Sequence, residues 1–460
     1  MTQNPSLPKI HFISIGGSVM HNLAIELHLN GFLVSGSDDE IYEPSSSRLA
    51  RYGLLPAITG WFPEKITSDL QAVILGMHAR QDNPELAKAR ELGIKVYSYP
   101  EYIFEQSQNK QRVVIAGSHG KTTITSMILH VLKFNNRIFN YLVGAQIEGF
   151  DNMVNLSEKA PLIVIEGDEY FTSPLDHTPK FMHYQPHIAL ISGIAWDHFN
   201  VFPTWESYVK QFELLADSLP KAGTIIFDET DDMLDVIGQK GRPDVVSTPY
   251  NEHPNKIENG KTILLTAENG EVPVLVFGNH NMKNISGARA VCERLGITDE
   301  EFYKAIQSFK GASKRLELLG SNDSVKVYRD FAHAPSKVEA TTIALKEQFP
   351  DRTLVACAEL HTFSSLNKAF LKQYRRKLKA ADVAVVYYNP LTVEHKKLEP
   401  ISKEDIRLAF KRDDLQVFTD SSEMVTFLKS LTWKNANLLL MSSGTYGDLD
   451  LKALAEEILA

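Results

Sequence analysis

The chain has 460 residues, enough for about three ordinary domains with a hydrophobic core each. Its 43% hydrophobic and 23% charged composition is that of a water-soluble globular protein, and a net charge of -9 argues against nucleic acid as the main partner. Two cysteines, Cys292 and Cys357, cannot supply a disulfide framework. The N-terminal MTQNPSLPKI lacks the basic-then-apolar pattern of an export signal, and no apolar run approaches the about 20 residues that span a bilayer. A cytoplasmic protein without membrane association is expected.

Residues 9–107 read as alternating strands and helices. Ile10–Ile15 forms a strand that meets Gly16-Gly17-Ser18 and a helix running to Leu29. Phe32–Ser35, Val73–Gly76 and Lys95–Tyr97 are further strands, with Pro84–Leu92 as a helix. This is a Rossmann-like half-sheet, whose ligand crevice lies at the strand ends. The dinucleotide fingerprint is incomplete, because Ser14, Gly16 and Val19 occupy the three glycine positions, so NAD binding is disfavoured. Asp38, after the second strand, is placed to meet a ribose or another sugar hydroxyl, whereas the Gly16-Gly17 turn could serve tight packing alone. Residues 98–112 are polar and read as a linker.

Val113–Ala116 is an apolar strand running into Gly117-Ser118-His119-Gly120-Lys121-Thr122-Thr123, followed by a helix-compatible apolar run. Strand, glycine turn and helix in this order present backbone N–H groups, a helix dipole and a lysine to an anion. Lys121 suits the phosphates of ATP, and Thr122 suits its magnesium ion. The spacing departs from the usual phosphate loop, since Gly117 and Gly120 enclose two residues instead of four. Leu162–Ile165 then delivers Glu166-Gly167-Asp168-Glu169 at a strand end, where a carboxylate suits magnesium or a solvated turn. His187–Ile194 is a buried strand leading to Trp196-Asp197-His198, and His198 could be structural, a metal ligand or an acid–base group. Trp205–Leu215 reads as an amphipathic helix. Asn281 and Asn284 precede a helix expected over Ile285–Leu295, where they could cap it or read a base edge.

From Gly311 the pattern changes again. Ser313-Lys314-Arg315 precedes a strand at Val325–Tyr328, which ends in Asp330-Phe331-Ala332-His333. Leu354–Ala358, Val383–Tyr388 and Leu438–Met441 look like parallel strands whose ends carry Glu359, His361, Asn389 and Ser442. Such a rim is a candidate site for a second substrate.

The ordered set GSHGKTT (117–123), EGDEY (166–170), WDH (196–198), GNHNMKN (278–284), SKRLE (313–317) and RDFAHAP (329–335) resembles the Mur ligase family over essentially the whole chain. The resemblance implies an α/β protein of three domains. Residues 1–107 would be a Rossmann-like domain binding a UDP-sugar, 108–310 a central phosphate-loop ATPase domain with a mostly parallel sheet, and 311–460 a Rossmann-like domain binding the amino substrate. It also implies an ATP- and Mg2+-dependent ligase of peptidoglycan synthesis or recycling, which activates a carboxylate as an acyl phosphate for attack by an amine. IGGSVM and SGSDD look like the branch acting on UDP-N-acetylmuramic acid. Residues 169–187 look like the members that add the tripeptide L-Ala-γ-D-Glu-meso-diaminopimelate, with L-alanine addition as the alternative. A monomer or homodimer is implied.

Carried over residue by residue, Gly117, Ser118, His119, Gly120, Lys121, Thr122 and Thr123 would cradle the phosphates. Lys121, Glu166 and His198 would be catalytic, with Thr122, Glu166 and His198 on magnesium. Asn281 and Asn284 would lie by the adenine, Arg315 by the phosphates and Asp330 by the ribose, with His333 on the same rim. Arg315 and Asp330 belong to a different domain than Lys121, so domain closure would complete the site. Glu213 would supply a carboxylate that some relatives obtain by carbamylating a lysine, although Lys210 lies close in sequence. The sequence departs from the family pattern at Ser14, Arg329, Ala334 and Glu359–Thr362.

Overall fold

Short runs of β-branched and aliphatic residues, each stopped by glycine or a polar turn, form the strands, and those at Val113–Ala116, Ile188–Ile191 and Ala436–Met441 are buried throughout, as strands covered on both faces are. A computed structural model describes residues 7–77, 79–173, 175–196, 201–240 and 242–460. Strands β1 (Lys9–Ile13), β2 (Leu33–Ser37), β3 (Ala72–Leu75) and β4 (Val96–Ser98) make a four-stranded sheet in the order β2-β1-β3-β4, all parallel. Ser14, where the fingerprint asks for glycine, keeps the left-handed backbone that glycine would adopt, with φ of 65°.

The stretch 98–112, read as a linker, contains instead a helix at Tyr99–Glu105 with a complete capping box from Ser98 and Glu101. Tyr99, Pro100, Tyr102 and Ile103 are buried along it. The polar residues of this stretch cap the helix and follow it, so composition concealed a short amphipathic element.

The next sheet holds β5 (Gln111–Ala116), β6 (Asn140–Leu142), β7 (Val154–Asn155), β8 (Leu162–Glu166), β11 (Ile188–Ile191), β12 (Thr224–Asp228) and β13 (Val246–Tyr250), in the order β13-β12-β11-β5-β8-β6-β7. Between β8 and β11 the chain makes an antiparallel hairpin of β9 (Phe171–Ser173) and β10 (Asp176–Pro179). β5 is flanked on both sides by parallel partners, β11 and β8, which buries Val113 to Ala116 completely.

Further on, β14 (Asn255–Glu258), β15 (Lys261–Leu265) and β16 (Glu271–Val274) form an antiparallel sheet. The last sheet is β17 (Glu317–Ser321), β18 (Val325–Asp330), β19 (Thr353–Leu360), β20 (Val383–Tyr388), β21 (Gln416–Phe418) and β22 (Ala436–Met441), in the order β17-β18-β22-β19-β20-β21. Only β17 runs antiparallel within it. The helix expected from Ile285 begins earlier, at Asn279, and runs to Arg294. Among the described residues no helix is long and apolar enough to cross a membrane.

By contacts the chain divides into two compact units. One comprises the residues up to Ile194 with Val209–Pro249 and Ala290–Leu295, and the other Ala195–Tyr208, Tyr250–Arg289 and Gly296–Ala460. Within the first, the helix Ser18–Leu29 ties the N-terminal sheet to the edge of the central one. Asn22 Oδ1 accepts from Met153 N at 3.2 Å and Arg48 Nη2 at 2.9 Å, while Glu26 Oε1 accepts from Leu156 N at 2.7 Å. Within the second, Gln348 binds the three-stranded sheet, accepting from Thr262 Oγ1 at 3.0 Å and donating to Gly260 O at 2.8 Å.

Asn22 is buried, and its Oδ1 shares the Met153 amide and the Arg48 guanidinium with Asn152 Oδ1, so replacing it leaves each donor with one acceptor fewer. Asn22→Ala is expected to cost about 1–3 kcal/mol, read as a lower denaturant midpoint with an unchanged slope.

Candidate active site

β5 ends at Ala116 and the chain turns over the carboxyl edge of its sheet. Gly117 has a φ of +124°, and a Cβ there would lie 2.4 Å from Ser192 Oγ and 2.8 Å from Ser192 N. The neighbouring strand β11 therefore forms one wall of the loop. Ser118 N and Oγ donate to Gly193 O at 2.9 and 3.2 Å, and Ser192 Oγ donates to His119 O. Gly193 is held equally closely, since a Cβ there would meet the His119 ring at 2.2 Å.

Gly120 is left-handed (φ +78°) and caps the helix Lys121–Phe134 without any side-chain cap. The first-turn amides of Lys121, Thr122 and Thr123 consequently have no acceptor inside the helix, which is the arrangement that receives an anion. At the same mouth, Lys121 Nζ donates to Gly117 O at 2.5 Å and to Glu169 Oε2 at 2.7 Å. Thr122 Oγ1 donates to Glu166 Oε1 at 2.6 Å, and Gly144 N donates to Glu166 Oε2 at 2.7 Å. Burial opposes the charge on Lys121, but the carboxylates of Glu169, Asp168 and Glu166 outweigh it and hold the ammonium above the ordinary lysine range.

A hydroxyl and a carboxylate side by side are hard oxygen donors of the kind magnesium takes, and magnesium needs few protein ligands because it keeps several waters. Thr122 and Glu166 fit that ion. Among the described residues no three His, Cys, Asp or Glu converge as a metal-holding set. His198, expected as a further ligand, lies outside the described residues. Glu213 is paired with Lys210 at 2.9 Å.

The structure thus brings together Gly117 to Thr123 with Glu166 in the first unit. Three contributors were not assigned from sequence: Glu169 as the partner of Lys121, the Ser192–Gly193 wall, and the Asp168–Lys180 ion pair at 2.6 Å. Glu169 stood inside the acidic motif, but only folding shows which carboxylate of the motif reaches the lysine. The Ser-Gly pair directly after an apolar strand was the available signal for the wall.

In the second unit, Asn281 and Asn284 are buried within the first turns of their helix and do not precede it. Asn281 Nδ2 donates to Phe277 O at 2.9 Å, and Asn284 Nδ2 donates to Asn281 Oδ1 at 3.2 Å. Asp330 closes β18, its two oxygens accepting from Leu316 N and Ala332 N, each at 2.7 Å. Burial raises the Asp330 carboxyl above the usual range, against the pull of Arg315. The Arg315 guanidinium stacks 4.6 Å over the Phe331 ring, and His333 Nδ1 lies 2.8 Å from Phe331 O. Arg329, where an acid was expected from the resemblance, makes a bidentate pair with Glu317 at 2.9 Å on both arms. In the N-terminal sheet, Asp38 accepts from Gly16 N at 2.7 Å, and burial pushes its carboxyl up to about 6.

A parallel sheet whose middle strand feeds a glycine turn and an uncapped helix, with a lysine and carboxylates at the helix mouth, defines an α/β enzyme of the ATP-dependent class. Comparison with known proteins makes the class specific. Residues 9–111 match the Mur ligase family catalytic domain, 115–292 the Mur ligase middle domain, and 314–444 the Mur ligase glutamate ligase domain. The chain is 29% identical over 450 residues to the UDP-N-acetylmuramate--L-alanine ligase of Sulfurihydrogenibium sp. (strain YO3AOP1), covering 96% of each. It is 30% identical over 346 residues to the UDP-N-acetylmuramate--L-alanyl-gamma-D-glutamyl-meso-2,6-diaminoheptandioate ligase of Escherichia coli (strain K12), covering 74% of this chain and 75% of that one. Among solved structures, the UDP-N-acetylmuramate-alanine ligase MurC of Thermotoga maritima superposes with a TM-score of 0.70 at 19% identity, covering 98% of each chain, which shows a shared fold. The chain belongs to the Mur ligase family. It is an ATP-dependent ligase with the three-domain α/β architecture of that family.

Asp168 offers a pH test of the site. Burial raises its carboxyl, but the ammonium groups of Lys180 and Lys121 together outweigh that, so the folded value lies below the unfolded one. Stability from this pair is therefore present above the ordinary carboxylate pKa of about 3.9 and is lost as pH falls through the folded value. In a pH series of melting curves, Asp168→Asn should lower Tm by a constant amount near neutrality, and the gap to the wild type should close in acid.

Proposed function

We propose that this ligase joins the carboxylate of UDP-N-acetylmuramic acid to the amine of L-Ala-γ-D-Glu-meso-diaminopimelate, in peptidoglycan recycling. The observation that carries the phosphate chemistry is the Lys121 ammonium held between Gly117 O and Glu169 at the mouth of an uncapped helix. The tripeptide assignment is supported by the segment after EGDEY. It forms the β9–β10 hairpin and the short helix Lys180–His183, anchored by Lys180 on Asp168 and His183 on Asp176. The relative from Escherichia coli, whose name gives that tripeptide, supports it as well.

Residues 1–107 bind the UDP-sugar in this reading, 108–310 bind ATP, and 311–460 bind the amino substrate. Lys121 and the loop amides hold the phosphates and offset charge as the phosphoryl group moves between two anions. Thr122, Glu166 and His198 would hold magnesium, which when bound would supply the charge that lets a carboxylate and a triphosphate approach. Asn281 and Asn284 contact adenine, Arg315 the phosphates and Asp330 the ribose, with His333 on the same rim. The resulting acyl phosphate is attacked by the amine, and amide, ADP and phosphate leave.

A second reading, addition of L-alanine, is favoured by the relative from Sulfurihydrogenibium, which matches over nearly the whole chain. Phosphate release with UDP-N-acetylmuramic acid and ATP-Mg separates the two. Turnover with the tripeptide alone is the expected result, and turnover with L-alanine alone would replace it. In the same assay Lys121→Ala should lower kcat by about 10²–10³-fold, since it deletes the charge that meets the transferring group.

A further inference from the structure

The amino ends of β5, β11 and β12 lie side by side at the edge of the central sheet opposite Gly117–Thr123. Ile188, the first residue of β11, pairs with Thr224, the first of β12, on one side and with Val113 of β5 on the other. The 6 residues of β5 rise about 3.3 Å each, so the two edges stand roughly 17 Å apart. Ligands of open parallel sheets collect at the carboxyl ends, which leaves the amino edge outside the phosphate chemistry. Yet a cleft of about 640 Å³ opens there, wholly within the first unit. That volume lies in the range that takes a small-molecule ligand, about 300–1,000 Å³.

Cations line the cleft, and no carboxylate does. Lys221 stands on the turn before β12, which Ala222 N fixes by donating to Asp244 O at 2.7 Å. The Asp244 carboxylate feels Lys221 but is taken by Arg242 in a bidentate pair at 2.8 and 3.2 Å. The Lys221 ammonium therefore has no ion pair among the described residues. Arg294, the last residue of its helix, donates through Nη2 to Thr248 Oγ1 at 3.1 Å and makes no ion pair among them either. Lys110 is anchored on the carbonyls of Ser157, Glu158 and Ala160, at 2.9, 3.3 and 2.7 Å. These dipoles fix its ammonium in place, and the Glu158 carboxylate offsets only part of its charge. In a chain of net charge -9, three cations around one cleft are a local reversal of sign.

His187 adds a neutral donor to the same lining. Arg112 N donates to its Nδ1 at 3.0 Å, which places the proton of the ring on Nε2. Burial, and then the Arg112 guanidinium, hold the imidazole below the ordinary histidine range, so the ring is uncharged near physiological pH. The guanidinium itself is spent on the carbonyls of Ser107, Tyr184 and Gln185, at 2.9, 2.9 and 3.0 Å. Nothing among the described residues accepts from Nε2 of His187. Asn109 and Gln111, also on the lining, bring side-chain amides that both donate and accept.

We propose that this cleft is a second anion site that binds a small phosphate monoester, with the phosphate on Lys221, Arg294 and the Nε2–H of His187. The remainder of the molecule lies against the amides of Asn109 and Gln111. A phosphate monoester suits the lining better than a carboxylate does. It carries about two negative charges and offers three oxygens, which meet a guanidinium fork, an ammonium and a ring N–H together. A bare phosphate would leave most of the cleft to water. An occupant here touches the segment that leads from residues 1–107 into β5 and takes no part in the reaction.

Ribose 5-phosphate is the probe and ribose its uncharged control. Each is titrated into the full chain with AMP-PNP and magnesium present, which keeps the phosphate loop filled. Ribose 5-phosphate should bind saturably, one molecule per chain by calorimetry, and should shift the ring nitrogen resonances of His187. Ribose should do neither. In the double variant Lys221→Ala/Arg294→Ala the affinity should fall about 10-fold or more, the scale of losing one charge-assisted hydrogen bond. Its affinity for AMP-PNP should match the wild type, which reports a folded protein and separates this cleft from the phosphate loop. Failure to saturate, equal binding of ribose, unmoved His187 resonances, undiminished binding in the double variant, or a parallel loss of AMP-PNP affinity would each overturn the assignment.

Discussion

Everything at the turn after β5 depends on keeping one ammonium charged in a place where water is scarce. Lys121 is pulled under the loop, and burial alone would favour its neutral form. Glu169 at 2.7 Å reverses that, with Asp168 and Glu166 contributing, and Lys180 in turn balances Asp168. The acidic motif at the end of β8 therefore has to stand beside the loop at the end of β5. Parallel pairing of those two strands, with Ile115 opposite Glu166, sets that position.

The same register argument explains the glycines. β5 is paired with β11 on its other side, so the chain leaving β11 at Ser192–Gly193 must pass the chain leaving β5 at Gly117–His119. The separations that a Cβ would meet there, 2.2 Å at Gly193 and 2.4 Å at Gly117, leave space for hydrogen alone. The loop is thus clamped before any ligand arrives, and its amides are preorganised, which is where electrostatic stabilisation of a transferring phosphoryl group gains most of its effect. A similar economy governs the second unit. Gly444 and the left-handed Tyr446 wrap Glu359 at the end of β19, again where parallel strands deliver polar residues to a common edge.

Much of this was legible in one dimension. Apolar runs such as Val113–Ala116 and Val383–Tyr388 read as buried strands and form them, and the motif GSHGKTT marks the turn between a strand and a helix. Short-range chemistry of this kind is written in consecutive residues, because φ preferences, caps and turn glycines act within a few positions. Where a local signal was diluted, the reading failed. The helix Tyr99–Glu105 lies in a stretch whose average composition is polar, and the helix at Asn279 starts within a motif that resembles a loop.

The sequence by itself determined the class of fold and the order of its main strands, since those follow from periodicity and from motifs a few residues long. Tertiary structure alone decided the partnerships: Glu169 rather than its neighbours on Lys121, Glu166 on Thr122 and Gly144, and Glu359 on Ser442 and Tyr446. Each joins residues from separate strands or loops, and strand register fixes which side chains meet at a sheet edge. Asp330 makes the same point, for its carboxylate is shared between two backbone amides that the sequence gives no reason to pair with it. Register is a property of the assembled sheet, set by how the apolar faces of distant segments pack, and no window of the chain contains it.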